Sequence, residues 1–124
     1  MSNAAASLRC TATDYARFMA LCVPHGQRQR WELREATRAA MLTPQLVLPA
    51  RWSQKTLGWN REDTRIGPVF FHSGSNGDAF KTFAIGDTTR SRALVAFTNS
   101  GSGALLYRRI VRDATGMDLL VFDL

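Results

Sequence analysis

The chain has 124 residues, 45% of them hydrophobic, which is enough apolar material for one compact core, and 16 basic against 10 acidic side chains give a net charge of +6. It contains no apolar run of about eighteen residues and no basic start followed by an apolar stretch, so we expect no transmembrane helix, no signal peptide and no membrane partner. Residues 1–4 read as the remnant of an expression tag, which leaves residues 5–124 as a single domain.

Two helices are indicated in the first part of the chain. Residues 11–23 begin with Thr11, a residue type that caps helices, and residues 31–42 form a second periodic segment that ends before Pro44. Residues 45–56 show no clear period and are predicted to cross the fold as an extended loop. The residues expected to face the core are Tyr15, Phe18, Met19 and Cys22 on the first helix and Leu33, Ala36, Thr37, Ala40 and Met41 on the second.

From residue 57 onward the pattern changes to short β-rich runs separated by glycine-containing turns, which is typical of an antiparallel meander. Residues 93–97 are apolar without alternation, and this predicts a strand that is covered on both faces. The predicted strands are 57–60, 69–73, 80–85 and 93–98, and the predicted loops between them are 63–67, 74–78 and 86–91.

The last periodic segment, residues 103–115, predicts a third helix that ends at Gly116. Helix, helix, three or four strands and helix, in this order, indicate an α+β fold: an antiparallel sheet of about three strands flanked by helices. This pattern alone points to no reaction. The residues expected to face the core on the third helix are Ala104, Tyr107, Ile110, Val111 and Ala114.

The positive charge is a weak signal for nucleic-acid binding. Arginines cluster in residues 28–38 and again in residues 108–112. Their spacing suits pairing with carboxylates on a helix, such as Arg109 with Asp113, as well as it suits contacts with phosphates. We therefore expect solvated, paired arginines on the helices.

The two cysteines, Cys10 and Cys22, are too few for a disulfide framework. A zinc site would require them to converge with His25 and His72, and that spacing matches none of the usual ligand patterns. We expect no metal site, and we interpret Cys22 as a small buried hydrophobic residue.

Three segments carry motifs in a specific order. Residues 6–18 read A-S-L-R-C-T-A-T-D-Y-A-R-F, residues 57–59 read L-G-W and are followed by F-F-H-S-G-S-N-G at 70–77, and residues 93–99 read A-L-V-A-F-T-N. In this order the segments resemble serine β-lactamases and penicillin-binding-protein-like hydrolases, including related esterases and D-aminopeptidases. The resemblance extends over nearly all of residues 6–116.

The resemblance implies the closing part of a β-lactamase/transpeptidase-like fold. The catalytic groups of that family come from a Ser-x-x-Lys, a Tyr-x-Asn or Ser-x-Asn, and a Lys/His-Ser/Thr-Gly strand, because acyl transfer needs a nucleophile, a base and donors for the oxyanion. This sequence contains no Ser-x-x-Lys, and neither Tyr15 nor Tyr107 begins a Tyr-x-Asn. We therefore expect the carboxy-terminal portion of a larger serine hydrolase, inactive on its own.

The third element is present as His72-Ser73-Gly74, followed by Ser75. The resemblance implies that His72 orients the tyrosine and the acid or carbonyl group of the substrate, and that Ser73 offers its hydroxyl to the ligand. Gly74 leaves room for close approach of a backbone because it has no side chain. Ser75 would donate its backbone N–H to one half of an oxyanion hole.

Structural interpretations of the same residues stay open. His72 is also explained as a strand histidine bonded to a backbone carbonyl, and residues 73–77 as a glycine-serine turn. Residues 81–83, Lys-Thr-Phe, are interpreted as an ordinary strand, since phenylalanine occupies the position that needs a glycine. A triad of His72 with Asp78 or Asp87 has no nucleophile elbow to support it.

We expect the parent hydrolase to act on a small amide or ester, without metal or organic cofactor, in the periplasm or the cytoplasm of a bacterium. The partner of this chain would be the missing amino-terminal part of that parent. The alternative is a non-catalytic basic module that binds a protein or a nucleic acid.

Two structural expectations follow from the resemblance. Residues 72–74 should end a strand at an open edge, more exposed than Phe70 and Phe71. The strand 93–98 should expose a hydrophobic edge, which a homodimer through that edge would cover by pairing it with its symmetry mate. The apolar tail, residues 119–124, is the local alternative as a cover.

Overall fold

The computed structural model describes residue 3 and residues 7–24, 33–48 and 54–123. Its architecture is α+β, as predicted, but the sheet has six strands where about three were expected. The helices are α1 (Ala12–Cys22), α2 (Glu35–Leu42) and α3 (Gly103–Thr115), and the strands are β1 (Leu46–Val47), β2 (Gln54–Lys55), β3 (Asn60–Thr64), β4 (Gly67–Asn76), β5 (Phe80–Asp87) and β6 (Arg92–Thr98), followed by a 3-10 turn (Leu120–Asp123).

The six strands form one antiparallel meander in which the strand order equals the chain order. The extra strands β1 and β2 lie inside the predicted crossing loop 45–56, where two-residue strands leave no readable period; residues 49–53 of that loop lie outside the described residues. The predicted strand 57–60 is displaced to β3, because residues 57–58 form a bend with Gly58 at φ +87°.

Two hydrophobic layers enclose the sheet, one on each face. Toward α3 the sheet presents alternate residues of β4 and β5, and toward α1 it presents the residues between them, because successive side chains of a strand point to opposite faces. The buried residues on the α3 side are Val69, Phe71, Phe83, Ile85, Val111, Met117 and Leu119, and those on the α1 side are Met19, Cys22, Val23, Trp59, Phe70 and Ala84.

The first helix begins as the sequence predicts. The Thr11 hydroxyl accepts a hydrogen bond from the backbone N–H of Asp14 at 3.1 Å and donates one to the Asp14 carboxylate, which lowers the pKa of Asp14. Met19 and Cys22 are buried, as expected for the apolar stripe. Phe18 is 39% exposed, because it lies at the flank of the stripe and stacks on Trp59.

The second helix departs from the prediction. The predicted residues 31–32 lie outside the described residues, and helical structure starts at Glu35. Of the residues expected to face the core, Ala36, Thr37 and Ala40 are exposed, and Met41 is half-buried against the α1 side of the core. The physical reason is length, since a helix of eight residues contacts the core through its last turn.

The third helix ends at Gly116, as predicted, with φ +70° and its N–H bonded to the carbonyl of Arg112. Val111 is fully buried and Tyr107 packs against the core. Ile110 and Ala114 are exposed, contrary to expectation, because the buried stripe is centred on Tyr107 and Val111. None of the described helices is long and apolar enough to cross a membrane.

Strand β6 contacts apolar layers on both faces, as its unbroken apolar sequence predicts, but the cover is partial. Leu94 packs on the α3 side and Val95 on the α1 side, whereas Ala93 and Phe97 are exposed. Strand β6 is also the last strand of the sheet order. The described part of the tail does not cover the free edge of β6. It lies at β3 instead, where the backbone N–H of Leu120 in the 3-10 turn donates a hydrogen bond to the Glu62 carboxylate at 2.9 Å. The tail was thus wrongly predicted as a cover.

Glu62 is 4% exposed, and among the described residues its Oε2 atom has no hydrogen-bond partner while Oε1 accepts the Leu120 bond. Burial raises the pKa of Glu62, outweighing the backbone hydrogen bonds that lower it. A carboxyl whose pKa is raised in the folded state contributes stability below its ordinary value and loses it as pH rises through the folded value.

We therefore expect Glu62→Gln, which keeps an acceptor and cannot ionise, to gain stability relative to wild type as the pH rises above the ordinary carboxyl range of about 4 to 5, because only the wild-type carboxyl must then ionise in its buried site. Urea unfolding of both proteins at several pH values measures this difference. A difference that is constant with pH would contradict the buried, titrating carboxyl.

Candidate functional site

The four residues of the predicted cleft strand lie together on β4. β5 pairs with β4 from Val69 to its end at Asn76, whereas β3 pairs with β4 only as far as Phe71. From His72 onward the second edge of β4 therefore has no strand partner among the described residues. Its backbone N–H and carbonyl groups are free to meet a ligand, since every second residue of a strand directs them to that edge.

Exposure changes sharply at the same point. Phe70 and Phe71 are 2% and 1% exposed, whereas His72, Ser73 and Ser75 are exposed to solvent, as the sequence predicts. The expectation that the strand ends at residues 72–74 is wrong, because β4 continues to Asn76. The predicted loop 74–78 is in large part a paired strand, held by β5 directly opposite.

The four side chains divide between the two faces of the sheet. His72 and Gly74 lie on the face of Phe70, toward α1, and Ser73 and Ser75 lie on the face of Phe71, toward α3. A ligand on the α1 face of the sheet could therefore contact the imidazole of His72. Ser75 can take part there only through its backbone.

The His72 ring contacts Trp59, with ring centroids 6.4 Å apart and ring planes at 82°. Trp59 is 6% exposed and is itself held edge-on by Phe70 at 5.0 Å. The contact of Trp59 with His72 was not predicted from the sequence. The L-G-W motif that precedes the His-Ser-Gly strand was the signal that could have found it.

Gly74 lies directly opposite Thr82. A Cβ atom on Gly74 would lie 2.3 Å from the Thr82 hydroxyl oxygen. On the α1 face the Thr82 hydroxyl therefore occupies the space that a side chain at position 74 would need. The sheet surface beside His72 is formed by two small residues, Gly74 and Thr82.

Lys81 lies opposite Ser75 and crosses the hairpin. Its Nζ atom donates to the Ser75 hydroxyl at 2.7 Å and to the carbonyl oxygen of Gly77 at 2.7 Å. A serine beside a lysine is a nucleophile and base pair in some hydrolases. Here both oxygens accept from the same exposed nitrogen, so the contact closes the hairpin.

Asp87, one of the two carboxylates considered for a triad with His72, lies away from Ser75 in the sheet. Asp87, 3% exposed, accepts backbone N–H bonds from Thr89 and Arg90 and pairs with the guanidinium groups of Arg90 and Arg92. It lies at the opposite end of β5 from the residues that face Ser75. In the described ranges no group of three His, Cys, Asp or Glu could hold a metal ion, and His25 lies outside them.

The arginines of α3 are neutralised locally. Each of the three arginines has a guanidinium nitrogen within 3.5 Å of a carboxylate oxygen, and one of these pairs is the predicted pair of Arg109 with Asp113. On α2, Arg38 likewise pairs with the carboxylate of Glu35. The α3 pairs are Arg108 with Asp123, Arg109 with Asp113 and Arg112 with Asp118.

Comparison with known proteins gives one result that covers most of the chain. A family model with the description Beta-lactamase matches residues 1–116. Neither the curated proteins nor the solved structures compared with the chain gave a match.

Proposed function

Because the chain belongs to the beta-lactamase family, we propose that it supplies one wall of the substrate cleft of a serine hydrolase that cleaves a small amide or ester. The observation that carries this proposal is the unpartnered edge of β4 at His72, where an exposed His-Ser-Gly stretch follows directly on two buried phenylalanines. A rigid strand with a free backbone edge suits the positioning of a substrate carbonyl.

In this proposal His72 orients the substrate through its imidazole and Ser75 donates its backbone N–H to the oxyanion. The Ser73 hydroxyl, which the resemblance assigns to the ligand, lies on the α3 face, away from the imidazole, and has no part in this proposal. The reaction needs a serine hydroxyl that adds to the carbonyl carbon, a base that takes its proton, and a leaving alcohol or amine that receives it. Water then releases the acid and regenerates the serine. The sequence contains neither Ser-x-x-Lys nor Tyr-x-Asn, so we assign nucleophile and base to an amino-terminal part of a larger parent protein.

Labelling with a fluorescent fluorophosphonate tests the proposal. We expect no stoichiometric acylation of the purified 124-residue chain, and stoichiometric acylation of the product of the longest reading frame that contains it. In that product His72→Ala should slow acylation by at least about tenfold, while His72→Lys, which restores a hydrogen-bond donor, should recover most of the rate.

Labelling of the isolated chain on a serine would contradict the assignment of the nucleophile. Equal acylation rates for wild type and His72→Ala in the longer product would contradict the role proposed for His72. Arg109→Ala, which truncates an exposed polar side chain on α3, is the control and should leave the acylation rate unchanged.

The alternative of a basic interaction module receives no support from α3, whose three arginines are paired with carboxylates.

The free edge of β6 is the basis of a second proposal, on assembly. We propose that, in the isolated chain, it pairs with its symmetry mate in an antiparallel homodimer centred on Val95. In that register Arg92 lies opposite Thr98, so no like charges meet.

Sedimentation velocity over a hundredfold concentration range, to about 1 mM, tests this dimer. We expect wild type to dimerise and Ala93→Lys, which adds a charge beside the edge, to stay monomeric. Leu105→Lys adds the same charge on α3 and should leave the dimer intact. A monomeric wild type at all concentrations would exclude the dimer.

A further inference from the structure

The 3-10 turn of the tail, Leu120–Asp123, lies over a buried carboxyl of the sheet, and the proposed acyl transfer uses neither of them. Glu62 is 4% exposed, and its Oε1 atom accepts the backbone N–H of Leu120 at 2.9 Å, whereas its Oε2 atom has no hydrogen-bond partner among the described residues. The family match ends at residue 116, so the 3-10 turn lies outside it. A buried carboxyl with an unsatisfied oxygen tolerates a proton better than a negative charge.

A ring contact and an exposed ion pair also hold the 3-10 turn, against β5 and α3. The centroid of the Phe122 ring lies 5.1 Å from that of Phe83 and 6.1 Å from that of Tyr107. Arg108 pairs with Asp123 at 3.5 Å, and the Asp123 side chain is 71% exposed, so this pair contributes little to stability. Chain ends that are held by few buried contacts open locally at low free-energy cost. The 3-10 turn can therefore leave the sheet without unfolding it.

In the part of the chain that the structure describes, no basic side chain bonds the Glu62 carboxyl. The residue directly opposite it on β4 is the uncharged Val69. Burial raises the pKa of Glu62 more than the backbone hydrogen bonds of Leu120 and Val121 lower it, and the nearby charge of Asp123 raises it further. The charged groups on the surrounding elements bond to other partners: Lys55 on β2 to Asn60, Arg61 on β3 to Asp63, Arg108 on α3 to Asp123, and Arg112 on α3 to Asp118.

We propose that the 3-10 turn is a pH-sensitive clasp, which packs on the sheet while Glu62 carries a proton and detaches when Glu62 ionises. Detachment lets water reach the carboxylate, so the attached form binds the proton more tightly. The attached form is therefore favoured at low pH and is lost as the pH rises through the pKa of Glu62 in that form. Detachment removes the Phe122 ring from Phe83, which lies opposite Ser73, so the clasp alters the α3 face of the β4–β5 hairpin.

A pH series of two-dimensional NMR spectra of the 124-residue chain tests the clasp, from the ordinary carboxyl range of about 4 to 5 upward. The carbon chemical shift of the Glu62 carboxyl reports its protonation, and nuclear Overhauser effects between the rings of Phe122 and Phe83 report attachment. In wild type we expect the ring signals to disappear with the same pH midpoint as the Glu62 titration. Glu62→Gln should keep them at every pH. Asp63→Asn, which neutralises the exposed carboxylate of the next residue, should behave as wild type.

Phe122→Ala weakens the attachment without changing the carboxyl, and it keeps the proposal testable where Glu62→Gln does not fold. Because the coupling between protonation and attachment is reciprocal, Glu62 should titrate at a lower pH in Phe122→Ala than in wild type. Leu105→Ala removes an exposed apolar side chain on α3 and should leave the midpoint unchanged. Ring signals that persist while Glu62 titrates, ring signals that Glu62→Gln loses as well, or an unchanged midpoint in Phe122→Ala would each overturn the proposal.

Discussion

Replacing Gly86 with alanine should lower the free energy of unfolding by about 3 kcal/mol. Gly86 is buried directly opposite Phe70, and a Cβ atom on it would lie 2.1 Å from the Cζ atom of the Phe70 ring. The ring cannot retreat, because Phe70 is 2% exposed and packs edge-on against Trp59 at 5.0 Å. The methyl group must therefore displace β5 or force the ring off its rotamer. Urea unfolding followed by Trp fluorescence measures the loss.

A double-mutant cycle isolates the cause. Phe70→Leu removes the ring atoms that collide with the new methyl, so the cost of Gly86→Ala should be smaller in the Phe70→Leu background by at least about 1 kcal/mol. If the alanine cost is the same in both backgrounds, the collision with the Phe70 ring does not explain it.

Replacing Asp87 with alanine should cost about 3 kcal/mol. The carboxylate is 3% exposed and accepts the backbone N–H groups of Thr89 and Arg90, each at 3.0 Å, in the turn between β5 and β6. Without it two donors of this turn lose their partner. Arg90 and Arg92 also lose their ion pairs. Both side chains are 40% exposed, so water compensates part of that loss, but not at the buried Nε atom of Arg92 that faces Asp87.

Asp87→Asn separates the two contributions. An asparagine oxygen still accepts from the turn but carries no charge, so we expect it to cost about half as much as alanine. The measurement is chemical unfolding near pH 7 in low salt and in about 1 M salt, since screening weakens only the ion-pair part. Equal costs for alanine and asparagine would show that the charge, and not the hydrogen bonds, holds the turn.

The resemblance identifies the strand that carries His72, but only part of its geometry follows from the sequence. The exposure of His72 after the buried Phe71 agreed with expectation, whereas the end of the strand did not, because β5 continues to pair with β4 as far as Asn76. The contact of Trp59 with His72 links residues that are thirteen positions apart, and no periodicity reports such a contact.

What the sequence by itself determined is local or follows a repeated pattern. Thr11 caps α1 and Gly116 ends α3 because those signals act within one helical turn, and the unbroken apolar run of β6 predicts cover on both faces. The order of the family motifs along the chain is likewise a property of the sequence alone.

The tertiary structure alone decided which side chains face outward and which distant segments meet. Ile110 is exposed although its spacing fits the apolar stripe of α3, and Glu62 is buried because the 3-10 turn of the tail lies over it. The short strands β1 and β2 exist only because β3 offers a partner edge. Burial and pairing of this kind depend on the free energy of contacts between residues far apart in the chain, which no local pattern encodes.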